Sequence, residues 1–355
     1  IAEYQEAYGR HAMRIAEELA PGKPIIPTGA MRISIDSAAV KRSGMKIPNL
    51  FRHDMPEYME IDMSDVTAMY RHELLILEML ANANWERPIY MSITVGQDNY
   101  PRILQNFFVL EGLAYRITPF NWTEIVPAGQ ETGIYDYPVD TDKFYHNVIS
   151  RFKWGGIKEN KGYYADETIH RMVSTHRTQM AALAQYMHND LILAEKEGDT
   201  AKALEITRRI INLLEKWDTE LPGDIVRYDP LRDGTIEIAK IYQIMHARQK
   251  EAAGTDMYLG DDTLQMLKEG YLRSSGQVIK DEYEYLRWYN TLKPRERNKS
   301  IEEFRRKILL EGVKVILSDD NENDEEMSAL FIKYAGHSLD NVYQELVKGD
   351  NSLRN

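Results

Sequence analysis

NWERPIYMSITVGQDNYPRILQNFFVLEGLAYRI, residues 84–117, is the stretch from which the architecture of the first third of this chain is read. Ile89, Met91, Ile93 and Val95 fall on one side of an extended run and Tyr90, Ser92 and Thr94 on the other, the period of two that a half-buried strand has, and Gly96 closes it. After Asp98 and Pro101 a short helical piece reaches Phe108. Gly112 breaks the pattern, Leu113 to Ile117 is extended again, and Pro119 stops it. Strand, helix and strand with so short a crossover predict a βαβ unit, hence a small, mostly parallel sheet with a right-handed connection.

Upstream, Leu74, Leu77 and Leu80 or Ala81 recur at helical spacing from Arg71 to Ala83, and the helix runs out at Asn82-Ala83-Asn84. Met31 to Ile35 alternates apolar and polar residues, which predicts a first strand. Before it, Pro21-Gly22-Lys23-Pro24 ends an amphipathic, charged helix from Ile1 to Leu19 that lacks the apolar core of a signal peptide. The chain opens at Ile1 rather than Met and reads as an excised piece. It has no run of about 18 apolar residues, so any membrane anchor is expected to lie outside it.

Downstream, residues 121–164 are rich in Pro, Gly, Tyr and Trp and hold neither period, as an ordered connecting segment would. From Asp166 the pattern is helical. Asp166 can cap a helix to about Lys196, Gly198-Asp199 turns the chain, and Thr200 to Trp217 places Ala203, Ile206, Ile210 and Leu214 on one face. Further helices are expected at 235–252, 261–292, 300–317 and 325–347. Gly198-Asp199 followed by Ala201-Lys202-Ala203-Leu204 resembles a tetratricopeptide unit, although the helix from Asp261 is too long for the fixed repeat, so a tetratricopeptide-like pair extended by irregular helices is expected. The predicted fold is α/β followed by all-α: a small, mostly parallel α/β domain over 1–120, an aromatic connecting segment over 121–165, and a tetratricopeptide-like helical-hairpin domain over 166–355.

Composition bounds the function. The 355 residues include 43% hydrophobic and 28% charged residues, so a core can form. A formal charge of -12 argues against a broad phosphate-binding surface, and nucleic acid is not an expected partner. A cysteine count of 0 removes disulfides, thiolate metal sites and Cys nucleophiles. The sequence has no G-x-S-x-G elbow, phosphate loop, H-E-x-x-H or G-x-G-x-x-G, so no catalytic residue, cofactor or metal is assigned.

Three clusters of candidate ligands each have a plainer reading. His170, His176 and His188 lie six and twelve apart on one helix, whereas two ligands on one helical face need a spacing of about three or four. His53, Asp54, Glu57, Glu60 and Asp62 could hold a divalent cation and serve a metal-dependent hydrolase, but Pro56 blocks helical presentation and a solvated loop is the favoured reading. The acidic run Asp319 to Glu326 has no Gly at the turn position of a calcium loop and reads as a hydrated linker. The rings are more suggestive. Trp85, Tyr90, Tyr115, Trp122, Tyr135, Tyr137, Trp154, Tyr163 and Tyr164, interleaved with Arg87, Glu111, Arg116 and Lys153, could form a saccharide or peptide surface, though a buried interdomain contact is favoured. From this set Trp85, Arg87, Tyr90, Glu111, Tyr115, Arg116 and Trp154 are the candidate binding residues.

Asn84-Trp85-Glu86-Arg87-Pro88-Ile89-Tyr90, Glu111-Gly112-Leu113-Ala114-Tyr115-Arg116 and Arg151-Phe152-Lys153-Trp154-Gly155-Gly156 occur in that order. Together they resemble the soluble C-terminal region of a bacterial membrane-protein family grouped with protein O-mannosyltransferase-like, type C glycosyltransferases, most strongly over residues 31–214. The resemblance implies a multi-spanning inner-membrane parent that transfers sugar from a lipid-linked donor to hydroxyls of exported proteins, with this region as its periplasmic tail. The implied catalytic acid would lie in the transmembrane half, so no catalytic residue transfers to this chain. The implied partners are that transmembrane half and exported acceptor proteins. Asp36-Ser37-Ala38, Asp199-Thr200-Ala201 and Asp262-Thr263-Leu264 also resemble the tripeptide at which such bacteria O-glycosylate exported proteins, and two of them equally fit helix-start chemistry. The competing expectation is a free-standing scaffold that binds peptides through its helical hairpins.

Overall fold

The computed structural model describes residues 29–64, 66, 69–96, 99–125, 138–159, 164–317, 325–342 and 344. The expected helix Ile1–Leu19 and its Pro21–Pro24 break lie outside them, as do Tyr135, Tyr137, Tyr163 and Asp319–Asp324. The chain divides into two compact units, Ile1–Phe144 and Tyr145–Asn355.

In the first unit β1 (Ala30–Ser34) pairs antiparallel with β2 (Tyr58–Asp62), with Met31 opposite Ile61 and Ile33 opposite Met59. Ile33, Met59 and Ile61 are buried, while Tyr58, Glu60 and Asp62 point the other way, the alternation that pleating imposes. The solvated loop expected around Glu57 to Asp62 is therefore corrected to a strand. Between the two strands, α1 (Ser37–Arg42) starts where the Asp36 carboxylate accepts from the Ala38 and Ala39 N–H groups.

α2 (Arg71–Ala83) occupies the expected span and buries Leu77 and Leu80, although Leu74 stays exposed. It ends where Asn84 (φ 46°) and Trp85 (φ 61°) adopt consecutive left-handed conformations, unusual for residues other than Gly. Burial of the Trp85 indole, whose Nε1 donates to Ser34 O at 2.8 Å, offsets the cost of that bend.

The second sheet overturns the parallel expectation. β3 (Tyr90–Ser92), β4 (Phe108–Leu110) and β5 (Ala114–Ile117) are arranged in the order β3-β5-β4, and both neighbours run antiparallel to the central β5. Glu111, Gly112 and Leu113 alone join β4 to β5, and a link that short can only make a hairpin, because parallel neighbours need a crossover of about a dozen residues. The crossover itself is a 3₁₀ turn, Arg102–Phe107, and β3 and β4 do run in the same direction, but β5 returns between them. Two short helices follow, α3 (Trp122–Ile125) and α4 (Thr141–His146).

The second unit is helical in its described residues. Asp166 caps α5 (Glu167–Lys196) by accepting from Ile169 N, and Asp199 caps α6 (Thr200–Glu220) by accepting from Lys202 N. The turn between them, with Gly198 at φ 73°, folds the pair into an antiparallel hairpin. α7 (Thr235–Glu251), α8 (Asp261–Tyr289), α9 (Lys299–Leu317) and α10 (Glu325–Ala335) follow, and α8 packs against α7, α9 and α10. Helices of 30, 21, 17, 29 and 19 residues do not fit a repeat of fixed length.

A buried cation organises the turn after α6. Arg177 on α5 is fully buried, pairs with Asp233 at 3.1 Å, and donates to the carbonyls of Leu221 (2.9 Å) and Val226 (2.6 Å) under the Tyr228 ring, 4.5 Å from its guanidinium carbon. Asp233 in turn accepts from the N–H groups of Asp229 and Thr235, fixing the start of α7.

Candidate functional site

The structure gathers four of the other six candidate residues around Arg116, all inside the first unit. Glu111 sits in the β4–β5 turn and is 4% exposed. Its Oε2 accepts from the Tyr90 hydroxyl at 2.7 Å, and its Oε1 accepts from Lys143 Nζ at 2.8 Å and lies 3.6 Å from Arg116 Nη1. Burial, then the hydrogen bond to Glu111, pushes the Tyr90 phenol up to about 12. Lys143 also donates to Gly44 O, Arg116 to Ser43 O and Lys46 to Val139 O, so the cluster ties the 43–46 segment, the hairpin turn and α4 together. Beside it lies a cavity of about 10 Å³ lined by Trp85, Arg87 and Arg116, about the space one water needs. The Nε and Nη2 atoms of Arg116 have no protein partner. A carboxylate with both oxygens engaged and almost no access to solvent acts as a brace, because a general acid or base must reach its substrate.

The other two candidates lie apart from this cluster. Tyr115 is core: its ring stacks on Phe108 at 5.7 Å and meets Tyr100 edge-on. Trp154 belongs to the second unit, where its ring lies against Phe152 and His176. The tripeptides serve helix starts at Asp36 and Asp199, with Ser37 half-buried and Thr200 exposed, whereas Asp262-Thr263 lies in the first turn of α8 and Thr263 Oγ1 contacts Leu259 O. Among the described residues no three His, Asp or Glu side chains converge as a metal site requires, so His53, Asp54, Glu57 and Glu60 do not form one.

The first unit also carries a groove of about 1460 Å³ that the sequence reading passed over. Its floor includes the outward face of β2, where pleating aligns Tyr58, Glu60 and Asp62. One wall is the start of α2, where Tyr70 stacks on His72 at 5.5 Å and the Tyr70 N–H donates to Glu73 Oε2. The opposite wall holds the 3₁₀ turn with Arg102 and Asn106, then Phe120, Asn121 and Glu124, and Phe51 stacks on Phe120 at 5.4 Å. Each carboxylate is held locally. Glu60 accepts from Arg32 Nε across the β1–β2 pair, Glu124 accepts from Asn121 Nδ2, and hydrogen bonds from Ser64 Oγ and N hold Asp62 below the usual carboxylate range. Tyr58 and Tyr70 are 51% and 55% exposed, the Tyr70 ring having one face against His72. The signal for β2 was present in Met59 and Ile61, which alternate with Tyr58, Glu60 and Asp62. The groove itself had no local signal, since its walls come from segments up to about ninety residues apart.

No curated protein matches the chain, and no solved structure matches it. Residues 5–138, less than half of the chain but spanning the groove and the brace apart from Lys143, match the family described as TMEM260-associated domain 2.

Proposed function

We propose that this chain is the extracytoplasmic tail of a membrane-embedded O-glycosyltransferase-like protein, where it positions acceptor proteins or partner subunits beside a catalytic half carried elsewhere. The observation that carries the reading is the match of residues 5–138 to a domain whose description ties it to a transmembrane protein. The three shared segments support it from the sequence side, and the geometry agrees in kind. The Glu111 cluster of the first unit is a buried brace, while the groove of the same unit is open. No helix among the described residues is long and apolar enough to cross a membrane, so the proposal places the span outside them.

Fractionation of source cells with an antibody against the chain tests this directly. The expected result is a membrane-bound polypeptide much larger than 41.3 kDa. A polypeptide near that mass in the soluble fraction overturns the reading and leaves the scaffold alternative. That alternative draws support from the apolar side chains on α9, where Ile301 and Phe304 are 43% and 53% exposed.

A further inference from the structure

We propose that the groove of the first unit is a binding site for a neutral oligosaccharide. The proposal stands on the lining of the groove, so it holds or fails apart from the membrane-tail reading.

Three properties of the lining select this ligand class. The first is flat aromatic surface. Tyr58 and Tyr70 line the groove and are each about half exposed, Tyr70 with one face stacked on His72, although the fold could have turned them inward as it does Tyr100 and Phe107. The electron-rich face of an aromatic ring attracts the C–H face of a pyranose, and such contact is worth having only where the ring is kept uncovered. The second is acceptor density. Glu60, Asp62, Glu73 and Glu124 present carboxylate oxygens, each already fixed by a local hydrogen bond and retaining lone pairs for a ligand, and Asn99 and Asn106 add amides. A sugar carries a donor on every hydroxyl and matches such a surface closely. The third is charge. Four carboxylates against the guanidinium of Arg102 and that of Arg32, which is bonded to Glu60, leave a net negative lining that disfavours phosphorylated or acidic ligands but costs a neutral one little.

Size narrows the class further. Pockets for one small molecule enclose roughly 300–1,000 Å³ and are walled mainly by apolar side chains. This groove holds about 1460 Å³ and is lined by both rings and polar groups, which suits a chain of several sugar rings rather than one. The β2 strand supplies the repeat. Its outward positions recur every second residue, about 7 Å apart, and so present Tyr58, Glu60 and Asp62 in a row.

The test is calorimetric titration of the full 355-residue chain with three hexasaccharides, maltohexaose, mannohexaose and chitohexaose. At least one is expected to bind with a dissociation constant below ~1 mM. Tyr58→Ala and Tyr70→Ala are each expected to weaken that binding about tenfold, the loss of one ring contact, with melting temperatures close to the parent's. Trp288→Ala, which removes an exposed ring in the other unit, is expected to leave binding unchanged. The proposal is overturned if none of the three sugars binds, if binding survives both tyrosine substitutions, or if a lysine-rich decapeptide occupies the groove and excludes the sugar.

Discussion

Glu111 shows how a single side chain can be essential to the fold without taking part in chemistry. Its carboxylate, itself almost out of reach of water, balances the buried Arg116 and the half-buried Lys143. Glu111→Ala should therefore destabilise the chain by about 3–5 kcal/mol, because it strands two cations, while Tyr90→Phe, which removes one hydrogen bond, should cost about 1 kcal/mol. Urea midpoints would rank the two, and equal losses would refute the brace. Tyr90, Glu111 and Arg116 stood out in the sequence as charges interleaved with rings, which suggested an interdomain contact, whereas their pairing lies inside the first unit. Lys143 did not, since it reaches Glu111 only through the tertiary fold. A second residue-scale prediction concerns acid. His176 lies against Phe152 and Trp154, with no partner for Nδ1, and burial holds its imidazole below the usual range. The fold thus favours the neutral ring. The stability this contributes is present above about pH 6.5 and is lost as pH falls through the depressed native value. His188 is lowered chiefly by the same desolvation, so His176→Phe should shallow the acid limb without abolishing it. Urea midpoints at about pH 7.5 and pH 5 decide this, and an unchanged acid limb in the variant counts against it.

Among the elements, the long helices were the legible part. Capping carboxylates at Asp166 and Asp199 and apolar residues at helical spacing set α5 and α6 within a few residues of the expected ends, because a helix announces itself through local hydrogen bonds and one buried stripe. The strands were legible in place but not in partnership. Ile89 to Val95 alternates as a strand should, yet only Tyr90–Ser92 is assigned to one, and nothing local says that the Gly112 turn brings β5 back as its neighbour. Helix packing gives this scale its prediction. Gly270 on α8 is buried against the Tyr242 ring of α7, and a methyl group there would stand 2.3 Å from a ring carbon. Tyr242 cannot retreat easily, since its hydroxyl is bonded to Leu214 O and to Asp218, which also pairs with Arg273. Gly270→Ala should therefore cost about 1–3 kcal/mol or more through overpacking, despite the better helix propensity of Ala. Gly198→Ala offers the contrast: nothing lies within 4 Å of the added atom, so only the left-handed backbone at φ 73° resists, at about 1–2 kcal/mol. Repacking can relieve the first cost and not the second. Adding Tyr242→Phe, which frees the ring from its anchors, should therefore recover part of the loss in Gly270→Ala and none in Gly198→Ala.

At the scale of the whole molecule, each unit carries its own core and its own buried ion pair, Glu111 with Arg116 and Lys143 in one and Arg177 with Asp233 in the other. The change from mixed to helical periodicity near Asp166 was visible in the sequence, whereas the groove was not, because β2, the start of α2, the 3₁₀ turn and residues 119–124 are distant in sequence and meet only in the folded unit. A site assembled in this way depends on the stability of its own unit. Units with separate cores are expected to melt with separate midpoints, and calorimetry of the intact chain should resolve two transitions. Arg177→Met leaves the Asp233 carboxylate buried beside the α7 start without its partner, a loss of about 3–5 kcal/mol. At about 2–4 °C per kcal/mol for units of this size, it should lower one midpoint by roughly 10 °C and leave the other in place. Glu111→Ala should do the reverse, and with it sugar binding in the groove should weaken at temperatures where the parent still binds. A single transition that both substitutions lower together would mean that the chain folds as one cooperative body, and the groove would then owe its stability to the helical unit as well.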